Sequence, residues 1–302
     1  MADNPTSYPL GAPTVSGTAI TVDLMLKEPT RINRYLSDLT LKKYFADRIF
    51  ANGGALTGGA VVYSQLTKND LFPDRDVQNV EPGGEFPIVT SSRQAPKVAQ
   101  VEKFGGKFFV TDEARDRNDP LAIQQEGTKL ANAIQRGIHK RALATLEASI
   151  TDTGADVQVT GVSFKKATTT KSVDKTAATD PTANFSAVEL KAEQLELGID
   201  YNLWIVNPQE MSNFQMFYGE NWKNVLANWN VDMIPSNIVT AGSAYVVAER
   251  QVGQMLLEKP LSTETWREEA TERTWVQSSV RPVFAVTNPY SVLKVTGLDA
   301  TA

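Results

Sequence analysis

QVEKFGGKFFVTDEARDRNDP, Gln100–Pro120, decides how the rest of the chain is read. It begins with strand character, meets Gly105-Gly106, resumes through Phe108, Phe109 and Val110, then crosses a dense charge run to Asp119-Pro120. Glycine packs no side chain and weakens a strand interior. The alternation also changes across it: Val98, Gln100, Glu102 and Phe104 face one way, Ala99, Val101 and Lys103 the other. The pair therefore reads as a bulge or bend that re-aims the chain. At the other end, Asp119 is a favoured N-cap and Pro120 suits the first helical position.

Downstream, no proline interrupts Leu121 to Ile150, and Ile123, Gly127, Leu130, Ile134, Ile138, Ala142, Leu146 and Ile150 recur every three or four residues. Gln124, Lys129, Gln135, Arg136, Lys140 and Glu147 take the other faces. This predicts one amphipathic helix of about 30 residues, roughly 45 Å long. Such a length suits a strut between distant parts better than a packing element of a small domain.

Upstream, residues 67–97 contain Pro73, Pro82, Pro87, Pro96 and Gly83-Gly84 without helical period. A stretch of about 30 residues is too long for an ordinary connection. Val77, Val80, Phe86, Ile88 and Val89 favour extended backbone, so an extended hairpin is expected, with its tip near Pro82 and Val98–Thr111 as its return leg. Before it, residues 30–52 read as helical, closed by Asn52-Gly53-Gly54, and AVVYSQL (60–66) reads as strand. Residues 1–29 cannot bury enough apolar surface to fold alone. They are either disordered or an arm that orders against a partner. Ile20, Val22, Leu24 and Leu26 alternate in a way that would let its end join a sheet edge.

After the long helix, DVQVTGVSF reads as a short hairpin and the Thr-, Ala- and Lys-rich stretch to residue 184 as a surface loop. Ser186 and Glu189 have capping-box spacing before a helix. LWIV (203–206) is a buried strand, Asn207-Pro208 a turn, and QEMSNFQMF a helix. From Asn237 the pattern turns to β, with NIV, AYVVAE and QMLLE, and continues through a long β region at 261–297.

The 302 residues are 41% hydrophobic and 22% charged, enough to bury sizeable cores, with a net charge of -5. That balance argues against general nucleic-acid binding, which needs concentrated Lys and Arg. The absence of cysteine excludes disulfides, thiolate metal sites and a Cys nucleophile. There is no signal-peptide pattern and no apolar run near the roughly 20 residues that span a bilayer, so a soluble protein made inside the cell is expected. Gly105-Gly106-Lys107 is followed by Phe108, not by the Ser or Thr of a phosphate loop. Asp112, Glu113, Asp116 and Asp119 interleave with Arg115 and Arg117, which makes a solvated or interfacial charge run the better reading than a metal site. His139, the single histidine, sits beside Lys140 and Arg141 and is the only candidate base for a hydrolase, a remote alternative. No catalytic, cofactor or metal residue is assigned.

The order of elements resembles the major capsid proteins of tailed bacteriophages with the Hong Kong 97-type fold, over roughly residues 30–298. In that family an E-x-P segment precedes a lysine-bearing strand and an acidic turn. Glu85, Pro87, Lys103, Lys107, Thr111 and Glu113 occupy those places here. The helix after Pro120 resembles the family's spine helix, and YNLWIVNPQEMSNF its axial-domain strand and helix. The resemblance implies an α+β fold. Its parts are an N-terminal arm and helix (1–52), an extended E-loop hairpin with flanking strands (53–111), and a peripheral domain with the spine helix and a loop or insertion (112–184). An axial domain with a mixed sheet and helices (185–260) and return strands of the peripheral domain (261–302) complete it.

It also implies a subunit that assembles with itself into hexamers and pentamers of an icosahedral or prolate head around double-stranded DNA. Such a head belongs to the virion and is assembled in the host bacterial cytoplasm, with portal and decoration proteins as further partners. No long helical segment precedes the arm, which implies a separate scaffold or none. No cofactor and no membrane is implied. An encapsulin-like nanocompartment is the alternative within the same fold. Asp76, Glu81, Glu85, Arg93, Lys97 and Lys103 are expected at contacts between subunits, and Gly105-Gly106 as a hinge where the hairpin rejoins the body.

Overall fold

In the computed structural model, residues 21–41, 45–67, 70, 79–88, 95–165 and 180–299 are described. The first 20 residues of the arm, Asp76, Arg93 and residues 166–179 lie outside them. The end of the arm is helical: α1 (Val22–Lys27) buries Val22, Met25 and Leu26 on one face. The alternation that suggested a strand is also compatible with i, i+3, i+4 spacing. One local and one long-range bond decide between them: Lys27 pairs with Asp23 one turn away at 2.6 Å, and the amide of Val22 donates to Asn118 Oδ1 at 2.8 Å.

Helix α2 (Pro29–Leu41) buries Ile32 and Leu36, and α3 (Ala46–Ile49) is a single turn. Asn52-Gly53-Gly54, expected to stop a helix, lie instead inside strand β1 (Ala51–Ala55). A Cβ on Gly53 would stand 2.7 Å from Leu256 Cγ, so the glycine permits close strand contact. Strands β2 (Ala60–Tyr63) and β3 (Lys97–Gln100) pair antiparallel and form the stem of the hairpin. Strand β4 (Phe104–Thr111) follows, then α4 (Asp112–Asp116), with Thr111 Oγ1 accepting from the amide of Ala114. The long helix is α5 (Pro120–Thr153), 34 residues and so about 51 Å. Asp119 caps it, accepting from the amide of Leu121 at 3.0 Å.

Beyond α5 the chain enters β5 (Gln158–Thr160), α6 (Thr182–Leu195), β6 (Leu203–Val206), α7 (Pro208–Tyr218), α8 (Trp222–Asn228), β7 (Asp232–Pro235), β8 (Ser243–Val247), β9 (Gly253–Glu268), β10 (Arg273–Val286) and β11 (Val292–Thr296). Four local expectations fail here. β5 runs parallel to β11 and is not half of a hairpin. Ser186 lies inside α6, which starts earlier; the buried side chain of Asn184 fastens that first turn to both backbone groups of Val162. Asn237–Val239 form a turn, with the amide of Val239 donating to the carbonyl of Ser236. Asn207-Pro208 is a helix start, with Asn207 Oδ1 accepting from Gln209 N at 3.0 Å.

The strands form a four-stranded sheet of order β1-β9-β10-β4, a five-stranded sheet of order β5-β11-β8-β6-β7, and the β2–β3 stem. Helices α2 and α5 pack on the first sheet. The second sheet packs with α6 and α7 around Phe185, Trp204 and Phe214, whose rings lie 4.9–5.9 Å apart. The expected segment boundaries at 52 and 260 cut β1 and β9, and β11 joins the second sheet rather than the first. The cause is that β9 and β10 are long enough to serve one sheet along their whole length, after which Pro289–Ser291 turns the chain into the other.

Candidate assembly surface

The hairpin leaves the body where the ladder is interrupted, at Val101–Lys103, and not at the glycine pair. β4 stays in unbroken antiparallel register with β10 from Phe104↔Val280 to Thr111↔Arg273, with Gly105 opposite Ser279 and Gly106 opposite Ser278. A Cβ on Gly105 would lie 2.6 Å from the carbonyl oxygen of Ser278, and one on Gly106 would lie 2.7 Å from Leu130 Cδ1 of α5. The pair thus lets β4 approach β10 and the helix closely; it contains no bulge.

The stem runs back along the C-terminal half of α5. Lys97 meets Asp152 at 2.7 Å and Glu102 meets Arg141 at 3.0 Å. Gln65 Nε2 donates to Ser149 Oγ at 2.9 Å, and the amide of Leu66 donates to the carbonyl of Thr287 at 2.7 Å. The two ion pairs are exposed and each contributes about 0–1 kcal/mol, so they orient the stem more than they stabilise it. At the far end, Gly84 N donates to Glu81 O at 2.8 Å across Pro82-Gly83, and Gly83 has φ 89°. Proline followed by a positive-φ glycine is the requirement of a type II turn, which gives the expected tip its geometry.

Among the described residues, several apolar side chains of the hairpin lie in solvent. Phe86 is 81% exposed, Ile88 75%, Val62 66% and Val98 61%. Isolated exposed apolar residues need no explanation, but a series on one projecting element marks an interaction surface. Glu81, Glu85 and Lys103 are exposed and make no ion pair among the described residues, whereas Lys97 is engaged within its own chain. Asp76 and Arg93 lie outside the described residues.

The charge run before Pro120 is a fastening. Asp112 is held by Arg115 at 3.1 Å and by Arg267 at 2.6 Å, and its amide donates to Glu272 O, which ties α4 to the β9–β10 end. His139 is buried in α5 against the Phe45 ring, with centroids 4.0 Å apart, and burial lowers its pKa to about 4. A base that must reach a substrate cannot work from inside a helix–helix contact, so the hydrolase alternative loses its one residue. Among the described residues no group of His, Asp and Glu is placed to hold a metal, and no helix is long and apolar enough to cross a membrane.

One surface escapes the sequence reading. Phe109, Trp275 and Trp266 stand in register across β4, β10 and β9 on the sheet face away from α5. The Phe109 and Trp275 rings lie 5.4 Å apart, and those of Trp275 and Trp266 6.2 Å. Lys107 Nζ lies 4.3 Å from the Trp275 centroid, and the Arg273 guanidinium 4.6 Å from it. Glu268 accepts from Arg273, Trp275 and Thr271, and these bonds, Arg273 first, hold its pKa down to about 2. The signal in the sequence is the odd-position spacing of Phe109 and Lys107, but only the register shows that they meet the two tryptophans.

A family model described as phage capsid protein matches residues 94–295. No curated protein matches the chain. Among solved structures, a virus-like particle from Pyrococcus furiosus superposes with TM-score 0.60 at 10% identity, covering 87% of this chain and 97% of that one. A phage-related protein from Bordetella bronchiseptica gives 0.56 at 13% identity, with 88% and 98% covered. The capsid of the cyanophage P-SCSP1u gives 0.55 at 13% identity, with 87% and 94% covered. At these identities the likeness is one of fold, and that fold is the Hong Kong 97-type α+β capsid fold.

Proposed function

The chain belongs to the phage capsid protein family, a family of shell proteins, and from that premise we propose that it is the major capsid protein of a tailed-phage head. Copies assemble into hexamers and pentamers, and these close into an icosahedral or prolate shell around double-stranded DNA. The observation that carries this reading is the projecting hairpin, whose Phe86 and Ile88 find no cover on their own body. Such residues reach cover only on another molecule, and repetition of modest contacts by symmetry stabilises a closed shell. Glu81, Glu85 and Lys103, with Asp76 and Arg93, act at those contacts, while Lys97 sets the stem on α5. The chain is a structural protein whose main partner is itself. Its place is the virion, after assembly in the host bacterial cytoplasm with portal and, where used, scaffold and decoration proteins. The net charge of -5 supports an inner wall that does not hold DNA tightly.

Electron microscopy of the purified protein, alone and coexpressed with the neighbouring head genes, tests the proposal. Closed shells or capsomers with five and six copies are expected. A monomer under every assembly condition would overturn it.

A further inference from the structure

A cleft lies on the lobe of the five-stranded sheet, far in sequence from the hairpin. It has a volume of about 580 Å³ and opens between α6, the loop at 199–202 and the turn at 229–231. That volume is within the range of sites that hold a ligand or a side-chain anchor. Its one accessible ring is that of the half-buried Trp229, which packs on Phe185 with centroids 5.9 Å apart; Trp204 lies buried beneath, 4.9 Å from the same ring. Its rim carries Glu189 and Glu193, one turn apart on α6, and Asp200 opposite them, all exposed.

No lysine, arginine or histidine lines this cleft, and none of the three carboxylates makes an ion pair among the described residues. The adjoining smaller cleft shows the contrast. There Arg48 is present but already engaged by Glu249 at 2.9 Å and by Asp232. The larger cleft thus sets the half-buried Trp229 ring beside three carboxylates that no cation neutralises among the described residues, the two features that attract a guanidinium or ammonium on an apolar stem.

We infer that this cleft docks a basic, arginine-bearing segment of a partner polypeptide other than this chain. Arginine fits better than lysine because its planar cation both stacks on indole and forks to a carboxylate. A partner other than a second copy is favoured because the longest basic run among the described residues, His139-Lys140-Arg141, is built into helix α5, where Arg141 already pairs with Glu102. Repetition of the cleft in every subunit would give such a partner many equivalent sites, so that weak single contacts add up through multivalency.

The test is a titration of the full-length protein with a tetra-arginine peptide, followed by tryptophan emission at low salt. A saturable change is expected, with affinity falling roughly tenfold or more in the Glu189→Gln/Glu193→Gln double variant and with added salt. The Trp229→Phe variant should lose most of the amplitude, which assigns the signal. A tetra-glutamate peptide should give none. The inference is overturned if no saturable response occurs or if the double variant binds the peptide as the parent does. It is also overturned if free argininamide binds as tightly as the peptide, since the cleft would then take a small cation only. A double variant that fails to assemble without any added peptide would identify the cleft as a contact between copies and equally overturn it. The peptide-binding outcomes leave open whether the parent chain forms shells, which microscopy reads separately.

Discussion

The two large sheets are built on opposite principles. In the five-stranded sheet, β6 and β8 are buried at every position, and Leu203–Val206 and Ser243–Val247 read as continuous apolar runs. Strands covered on both faces need no polar alternation. In the four-stranded sheet, β4 and the far half of β9 alternate toward solvent, where Phe109 and Trp266 remain 44% and 40% exposed, while β10 between them is mostly buried. The hairpin extends this second style further: its stem is tied to α5 by polar contacts, and Phe86 and Ile88 near its tip stay exposed. One lobe therefore completes its core within the chain, while the other leaves apolar surface for a neighbour. Stability of the isolated subunit and competence for assembly should consequently be separable by mutation.

The largest effect is expected from Trp204→Ala in the closed lobe. It removes a ring packed edge-on against Phe185 and should lower subunit stability by about 3–5 kcal/mol, measured by urea unfolding. A loss under 1 kcal/mol would show that this lobe is not self-contained. Next comes pH. The folded-state pKa of His139 is depressed to about 4 from 6.5, so the unfolded chain binds the extra proton across that window. This contribution is fully present above about pH 6.5 and is lost as pH falls toward 4, amounting to about 3 kcal/mol over the window. His139→Phe should flatten the dependence of the urea midpoint between pH 4 and 6.5. An unchanged slope would mean that other groups carry it.

Gly105→Ala should cost about 1–3 kcal/mol by pushing β4 away from the Ser278 carbonyl. A neutral result would restore a hinge role to the pair, because a flexible joint tolerates a methyl group where a close contact does not. The smallest effect on the subunit is expected from Phe86→Ser with Ile88→Ser. Both sites are exposed, so the unfolding midpoint should move by less than about 0.5 kcal/mol. Particle yield in sedimentation should nevertheless fall severely. Equal losses of stability and yield would remove the distinction between the lobes.

Much of this architecture was legible wherever one local rule acted alone. The 3.6-residue period, the Asp119-Pro120 start and the lack of proline sufficed for α5, and Pro82-Gly83 sufficed for the tip. Errors arose where the same residues serve two physical needs. Gly53-Gly54 and Gly105-Gly106 look like chain breaks, yet Gly53, Gly105 and Gly106 stand where a neighbouring side chain or backbone comes too close for a Cβ. The apolar positions of 22–26 fit strand and helix alike, and the bond from Val22 to Asn118, 96 residues away, is invisible in local sequence. The hairpin's paired stem was readable from proline and β-former content. The aromatic row and the acidic cleft were not, because each is assembled from segments whose register only the folded chain supplies.

Helix α5 has one further consequence. Its N-terminal end abuts Asn118, which holds the arm, and Asp152 near its C-terminal end holds the hairpin stem. Between them, Gly137 lets the Phe104 ring sit against the helix backbone. A stiff bar loaded at both ends and supported near its middle is a lever. With a half-length of about 25 Å, a tilt of about 10° sweeps each end through about 4 Å, in opposite directions. A load on the hairpin stem would therefore reach the arm through the helix, and because Ile123, Leu130, Ile134, Ile138, Leu146 and Ile150 are buried along its length, the core would have to shift with it.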